Sequence, residues 1–207
     1  LLENEIELIK KQMYNVPKKI SSARKLSKSK IQISIESAFK NLALKNSKID
    51  LNLTEYDEFN KNGINNIEVL YRPSEESSPK ILSKIASGGE KSRILFALKS
   101  ILSKKIDLPT LVFDEIDSGT SGEIANAIGK TMKIMGKKIQ IIAITHLPQV
   151  ASLADYHYKV FKIEKEKNIS TNIKKLDNSS RIEEIASMIS GENITESAIN
   201  QAQELLK

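Results

Sequence analysis

Two short and almost continuously apolar runs constrain the fold of this chain more than any other feature. Residues 110–113 read Thr-Leu-Val-Phe and residues 140–145 read Gln-Ile-Ile-Ala-Ile-Thr, with a helical pattern at about residues 121–135 between them. Such runs are typical of buried strands in a parallel sheet. The order strand, helix, strand predicts a βαβ unit, and therefore a fold of the α/β class.

The first apolar run ends in two adjacent acids, Asp114 and Glu115. Because Asp114 closes an apolar strand, we interpret it as the residue that holds Mg²⁺ on a bound nucleotide. Glu115 is the candidate general base for the attacking water, a role typically worth about 10²–10⁴ in rate. An outer contact to Mg²⁺ is the alternative role for Glu115.

A glycine pair lies ahead of another predicted helix, at about residues 89–103. We call Ser87-Gly88-Gly89-Glu90 the signature segment. Glycine lets the backbone approach an anion closely, and the first N–H groups of a helix are free to bind it. The signature segment is therefore predicted to bind phosphate.

Three motifs together resemble a known family. They are KIASGGEKSR at residues 84–93, FDEIDSGTSG at residues 113–122 and THLPQVA at residues 145–151. In this order and spacing they resemble the carboxy-terminal half of the RecN family, the SMC-like ATPases of bacterial DNA repair. The resemblance spans nearly the whole chain and implies a lobe of an ABC-type P-loop NTPase head with ATP and Mg²⁺ as cofactors.

The resemblance also implies roles for individual residues. His146 resembles the switch-loop histidine that touches the γ-phosphate and helps to hold the attacking water. Asp117 matches the D-loop, which lies across the dimer interface in such ATPases, and a simple turn is the alternative. The signature segment is expected to contact ATP held by the other subunit, so that two heads enclose two ATP molecules. Its four residues are Ser87, Gly88, Gly89 and Glu90.

The Walker A pattern G-x-x-x-x-G-K-[ST] is absent from the sequence. Gly129-Lys130-Thr131 imitates its end, but the first glycine is missing and the segment follows the acidic strand. We therefore interpret Lys130 as a surface residue of a helix. The chain is predicted to be a fragment or the second half of a split ATPase, inactive alone, whose partner is the amino-terminal Walker A half of the same protein.

The amino-terminal part has the pattern of a coiled coil. Apolar residues recur at alternating spacings of four and three, at Leu2, Ile6, Ile9, Met13, Val16, Ile20 and Ala23. Pro17 predicts a break or kink near residues 15–17. We expect residues 1–46 to form the end of a coiled-coil arm and residues 47–207 to form the head lobe. Two ordinary amphipathic helices packed on the head are the alternative.

The positive charge is concentrated in this arm. The chain has a net charge of +6, and no acidic residue lies between Glu7 and Glu36. A local excess of cations suits a phosphate backbone, so DNA is a predicted partner. A solvated lysine-rich face is the alternative. The candidate DNA contacts are Lys18, Lys19, Arg24, Lys25, Lys28 and Lys30.

Further patterns predict the remaining elements. Residues 49–53 and 67–71 suggest one strand pair, and residues 156–164 and 169–176 suggest another, with His157 as an exposed strand residue. Capping-box spacings predict closing helices that begin at Ser180 and Asn193.

The sequence as a whole predicts a DNA repair ATPase. The absence of cysteine, of a signal-peptide pattern and of a long apolar run favours the cytoplasm, at the nucleoid, and no membrane partner. The expected function is ATP-driven head dimerisation in double-strand-break repair and recombination. Three alternatives are another SMC-like ATPase of chromosome organisation, a transporter nucleotide-binding subunit, and a nonenzymatic dimerisation module.

Overall fold

The computed structural model describes residues 2–84, 88–114, 116, 119–165 and 168–207. The chain divides into two compact units, Leu1–Ile101 and Leu102–Lys207. This division does not coincide with the predicted boundary between residues 46 and 47, which stays a prediction. In the described part of the chain, no helix combines the length and the apolar character needed to cross a membrane.

The first unit joins a long helix to an antiparallel sheet. Helix α1 (Leu2–Phe39) is followed by strands β1 (Lys48–Asn60), β2 (Gly63–Arg72) and β3 (Lys80–Ile81), a 3₁₀ turn (Leu82–Lys84) and helix α2 (Gly88–Leu102). The sheet order is β1-β2-β3, and Leu53 lies opposite Ile67. Gly63 has φ +100°, which the β1–β2 turn requires and which favours glycine. The predicted strand pair is thus confirmed.

Helix α1 is continuous through Pro17, so the predicted break at residues 15–17 is wrong. A proline inside a helix removes one hydrogen bond and costs roughly 3 kcal/mol. Here Pro17 is buried, as is Ser21 one turn later. The Ser21 hydroxyl donates to Glu55 Oε1 over 3.0 Å and accepts from Asn65 Nδ2 over 3.0 Å. Packing on the β1–β2 hairpin therefore holds the helix together across the proline.

The core of the first unit lies where α1 ends. Phe39 is fully buried, and its ring meets Tyr71 of β2 edge to face with 6.4 Å between ring centroids. Leu42 and Leu44 of the following turn are buried as well, and so is Ile49 of β1. The end of α1 is thus fixed to the sheet by apolar packing.

The second unit begins with the predicted βαβ arrangement. Strand β4 (Thr110–Asp114), helix α3 (Gly122–Gly136) and strand β5 (Gln140–Ile144) follow in order, and β4 pairs with β5 in parallel. Then come helix α4 (Pro148–Ala151), strands β6 (Tyr158–Lys165) and β7 (Asn168–Lys175), and helices α5 (Asn178–Ser190) and α6 (Glu196–Leu205). The α/β class is confirmed.

The two closing helices exist, but each begins at a different cap from the one predicted. Asp177 is the N-cap of α5 and accepts from the Ser180 backbone N–H over 2.8 Å. Thr195 is the N-cap of α6 and accepts from the Ala198 backbone N–H over 3.2 Å. Ser180 and Asn193 are therefore not the caps. The side-chain oxygens of Asp177 and Thr195 accept from the backbone N–H three residues later, which is the bond that defines an N-cap. Helices α4, α5 and α6 share a buried core.

Candidate functional site

The candidate site starts at the carboxyl ends of β4 and β5. Asp114 is the last residue of β4 and lies opposite Ile144, the last residue of β5, in the parallel register. His146 follows β5 by two residues. In open parallel sheets, ligands bind at this edge. The structure thus brings Asp114 and His146 to the same edge of one sheet, and both are exposed there.

The turn that carries His146 is shaped by its neighbours. The Thr145 side-chain oxygen accepts from the Leu147 backbone N–H over 3.0 Å, and Pro148 begins α4. The Thr145 side chain thus closes a short turn with the backbone two residues later. Proline at the first helical position then fixes the backbone where α4 begins. Thr145 was not predicted as a functional residue, although its position before His146 and Pro148 is the signal that could have identified it.

Helix α3 packs closely on helix α4, which follows this turn. A Cβ at Gly129 of α3 would lie 2.8 Å from Leu153 Cδ1 and 3.2 Å from the Gln149 carbonyl oxygen. A Cβ at Gly122 would lie 3.3 Å from Gln149 Nε2. At Gly129, helix α4 therefore approaches α3 too closely for a side chain to fit without a shift of its neighbours, whereas the Gln149 side chain could move away from one at Gly122. No local sequence pattern marks this contact.

Gly129-Lys130-Thr131 is not a phosphate loop. The segment lies within α3, where Lys130 is exposed and the Thr131 hydroxyl donates to the Ala127 carbonyl oxygen over 2.8 Å. Its interpretation as ordinary helix surface is confirmed.

The signature segment is described only in part. Gly88 and Gly89 are the first residues of α2, and a Cβ at Gly88 would meet nothing within 4 Å. The backbone at this helix start is therefore open to an approaching anion. Glu90 lies in the first turn and is half-buried. Ser87, together with Glu115 and Asp117 of the second unit, lies outside the described residues.

The cations proposed to contact DNA separate into two groups. Lys25 pairs with Glu55 over 2.8 Å, Lys28 pairs with Asp50 over 2.9 Å, and Arg24 donates to Asn65 Oδ1 over 3.3 Å. The hydrogen bond from Lys28 lowers the pKa of Asp50, and the hydrogen bonds from Lys25 and Ser21 lower the pKa of Glu55. These three cations are thus engaged with the sheet. The second group is Lys18, Lys19 and Lys30, which are exposed, as Lys25 also is.

His157 is not the exposed strand residue that was predicted. It precedes β6, is half-buried, and its Nδ1 is buried without a hydrogen-bond partner. Burial lowers the pKa of His157, and the Arg181 guanidinium lowers it further. The reason for the difference is α5, which brings Arg181 and Glu184 beside the histidine.

Comparison with known proteins identifies the relatives of this chain. The DNA repair protein RecN of Rickettsia bellii is 37% identical over 193 residues, which is 93% of this chain and 35% of that protein. RecN of Haemophilus influenzae is 34% identical over 94% of this chain and 35% of that protein. RecN of Bacillus subtilis is 39% identical over 72% of this chain and 26% of that protein. The chain thus spans about a third of the length of the first two relatives.

Solved structures share the fold at lower identity. The Smc head domain with a coiled coil and joint from Pyrococcus yayanosii has a TM-score of 0.63 and 19% identity, covering 100% of this chain and 35% of that chain. A chain from a study of ATP-driven dimerization and DNA-stimulated activation of SMC ATPases has a TM-score of 0.56 and 18% identity, covering 84% of this chain and 99% of that chain. No protein-family model matches. Over almost its whole length the chain is therefore a RecN-type sequence with the fold of SMC heads, and the predicted resemblance is confirmed.

Proposed function

We propose that this chain is part of the ATPase head of a RecN-like protein that acts in DNA double-strand-break repair and recombination. In the complete protein, two heads dimerise around ATP, and hydrolysis separates them. The observation that carries this proposal is the placement of Asp114 and His146 at one edge of the parallel β4–β5 sheet. Identities of 34–39% to RecN proteins support the assignment to DNA repair.

The residues at this edge suit Mg²⁺ and nucleotide. Mg²⁺ is commonly bound by one or two carboxylates together with substrate phosphates and waters. Asp114 offers one exposed carboxylate, and no group of three or more histidine and acidic side chains gathers elsewhere in the described ranges. A single carboxylate is sufficient when phosphates complete the shell. When bound, Mg²⁺ would neutralise part of the phosphate charge at this edge.

We assign the chemical roles as the sequence motifs imply. Asp114 holds Mg²⁺, Glu115 takes the proton of the attacking water, and His146 orients that water beside the γ-phosphate. Asp117 contributes from the D-loop at the dimer interface. The signature segment serves the ATP held by the partner head. Its residues are Ser87, Gly88, Gly89 and Glu90.

The exposed apolar face of the β4–β5 sheet indicates that another part of the head covers it in the complete protein. Val112 is 52% exposed, Ile142 45% and Ile144 53%, and the parallel register places all three on the same face as Asp114. Parallel sheets are normally covered on both faces. We infer that the Walker A part of the same protein covers this face and completes the pocket. The RecN relatives are long enough to contain it, because this chain spans 35% of two of them.

The remaining partners follow from the same proposal. The apolar seam of α1 is exposed, with Leu2 at 75% and Val16 at 60%, so we propose that it packs against the other strand of a coiled-coil arm. DNA is the proposed macromolecular partner, and the cytoplasmic nucleoid is the proposed location.

The test compares ATP turnover by the chain alone and by the chain mixed with a Walker A-bearing segment of a RecN protein. We expect negligible hydrolysis by the chain alone and Mg²⁺-dependent hydrolysis by the mixture. In the mixture, Glu115→Gln and Asp114→Asn should each lower turnover by about 10²–10⁴. The matched control is Glu123→Gln, because Glu123 is an exposed acid in the first turn of α3. Robust turnover by the chain alone would overturn the split pocket, and full turnover by Glu115→Gln would overturn the base assignment.

A further inference from the structure

The polypeptide that follows His146 forms one short, hydrogen-bonded segment. We call residues 147–154 the α4 segment, which contains helix α4 and the turn that ends it. The Ala151 backbone N–H donates to the Leu147 carbonyl oxygen over 3.1 Å, and the Ala154 backbone N–H donates to the Ala151 carbonyl oxygen over 3.3 Å. These bonds connect the residue next to His146 with the far end of the segment. A tilt of the α4 segment would therefore also move His146.

Arg181 of α5 binds the far end of the α4 segment. Its Nη2 donates to the Ser152 carbonyl oxygen over 2.8 Å and to the Ala154 carbonyl oxygen, and the Ala151 carbonyl oxygen lies 3.4 Å away. Carbonyl oxygens at a helix end lack partners within the helix, and an arginine side chain can satisfy them. Hydrogen bonds from a guanidinium are charge-assisted and therefore stronger than bonds between neutral groups. The far end of the segment is thus bound to a cation of α5.

Arg181 is itself held in place. It is half-buried, and burial lowers the pKa of its guanidinium, so the carbonyl oxygens take the place of water as its partners. Its backbone N–H donates to the carbonyl oxygen of Asp177, the N-cap of α5, over 2.9 Å. Ile185, one turn later in α5, is fully buried in a core that includes Ala151. Helix α5 therefore presents Arg181 from a packed position.

Apolar packing alone would not define the direction of the α4 segment. The burial of apolar surface is non-directional, whereas a hydrogen bond weakens steeply when its angle changes. The bonds from Arg181 therefore orient the end of the segment on α5. Helix α3 restricts the segment as well, because a Cβ at Gly129 would lie 3.2 Å from the Gln149 carbonyl oxygen. The backbone that follows His146 is thus held against both α3 and α5.

We propose that Arg181 is a positioning residue for ATP hydrolysis, which sets the position of His146 through the backbone of the α4 segment. The inference rests on the proposed function, in which His146 orients the attacking water. Accurate placement matters for that role, because a displacement of about 1 Å caused far from the chemistry can cost about 10²-fold in rate.

Single-turnover hydrolysis and KM for ATP, both measured with the complete protein, test the proposal. Arg181→Met keeps a flexible apolar stem and removes every donor. We expect it to slow hydrolysis at least about tenfold, because the attacking water is no longer aligned. KM should stay within about twofold of the parent, since the groups that bind phosphate and Mg²⁺ are unchanged. In a His146→Ala background, Arg181→Met should slow hydrolysis no further, because Arg181 acts through His146.

Hydrogen exchange and two further variants separate positioning from a general loss of stability. The amides of residues 151–154 should exchange about tenfold faster in Arg181→Met, since charge-assisted bonds are lost. Arg181→Gln, whose amide is too short to reach the carbonyl oxygens, should repeat both results and replaces Arg181→Met if that variant does not fold. The control is Ile185→Val, which weakens the shared core without changing the donor to the α4 segment. It should hydrolyse ATP at the parental rate wherever it is folded.

Parental hydrolysis in a folded Arg181 variant, together with slow hydrolysis in His146→Ala, would overturn the inference and leave the proposed function standing. A further loss in the His146→Ala background, or the same loss in Ile185→Val, would also overturn it, because Arg181 would then act only through stability. Parental exchange in residues 151–154 would show that the carbonyl contacts do not hold the segment. If His146→Ala itself hydrolyses ATP at the parental rate, the proposed role of His146 fails and the inference falls with it.

Discussion

At the scale of single residues, two glycines of α3 differ sharply in what surrounds them. Gly129 lies against Leu153 and the backbone of α4, whereas a Cβ at Gly136 would meet nothing within 4 Å. Neither residue requires a positive φ. The two glycines therefore differ only in the room available for a Cβ atom. At Gly129 the absence of a side chain allows α4 to lie close to α3.

We expect Gly129→Ala to destabilise the protein by about 1–3 kcal/mol, because the added methyl overlaps Leu153 and the Gln149 carbonyl oxygen. Gly136→Ala is the matched control and should be neutral or stabilising by about 0.4–1 kcal/mol. Chemical denaturation measures both changes. Equal stability of the two variants would show that α4 can move away from α3 without cost.

At the scale of elements, helix α1 combines two surfaces with different partners. One face, from Pro17 to Phe39, packs on the β1–β2 hairpin and uses Arg24, Lys25 and Lys28 for polar contacts with it. Those contacts explain part of the lysine-rich composition without any nucleic acid. The DNA proposal therefore depends on Lys18, Lys19 and Lys30 of α1.

Replacing the exposed cations Lys18, Lys19 and Lys30 with Gln should weaken DNA binding by the complete protein regardless of sequence. Each lost phosphate contact should flatten the plot of log affinity against log salt by about 0.9 for duplex DNA. The control replaces three exposed lysines of the second unit, Lys130, Lys133 and Lys137, and should keep the parental slope. Parental affinity and slope in the first variant would show that these lysines are only a solvated face.

Helix α5 gives the second unit a pH-sensitive contact with His157. Arg181 and Glu184 of α5 and Lys159 of β6 are the charged groups that act on this histidine. Burial and Arg181 lower the pKa of His157, so the folded protein favours the neutral ring. The unfolded chain binds a proton near pH 6.5, and stability should therefore fall as the pH falls through and below that value.

The midpoint of thermal unfolding should drop between pH 7.5 and pH 5.5, and His157→Gln should reduce that drop. His146→Gln is the control, because His146 is the other histidine and is exposed. The same drop in parent and His157→Gln would assign the pH dependence to other groups.

At the scale of the whole molecule, the second unit exposes apolar side chains on both of its strand pairs. Besides the open face of β4–β5, the β6–β7 hairpin exposes Tyr158, Val160 and Ile173. Val160 lies opposite Ile173 in the register, so the two share a face. These surfaces fit a protein of which the chain spans only about a third.

Adding the Walker A-bearing segment should bury these surfaces. We expect Val112→Asp to reduce its association with the chain at least tenfold, because a charge would be buried without a partner. Lys138→Asp, at an exposed position after α3, is the control and should associate as the parent does. Titration calorimetry measures both affinities. Unchanged affinity for Val112→Asp would mean that another surface receives the segment.

The sequence by itself determined the elements whose cause is local. Apolar runs predicted β4, β5 and their parallel pairing, and the glycine pair predicted the start of α2, because such marks lie within a few residues. The predicted burial of these strands is wrong for β5, of which four of five residues are exposed. The three motifs were sufficient to identify the RecN resemblance. Tertiary structure alone decided the continuity of α1 through Pro17 and the ion pairs of Lys25 with Glu55 and of Lys28 with Asp50. Each ion pair joins residues 22 or more positions apart, and the continuity of α1 depends on packing against a distant hairpin. No local pattern records which distant group a side chain will meet.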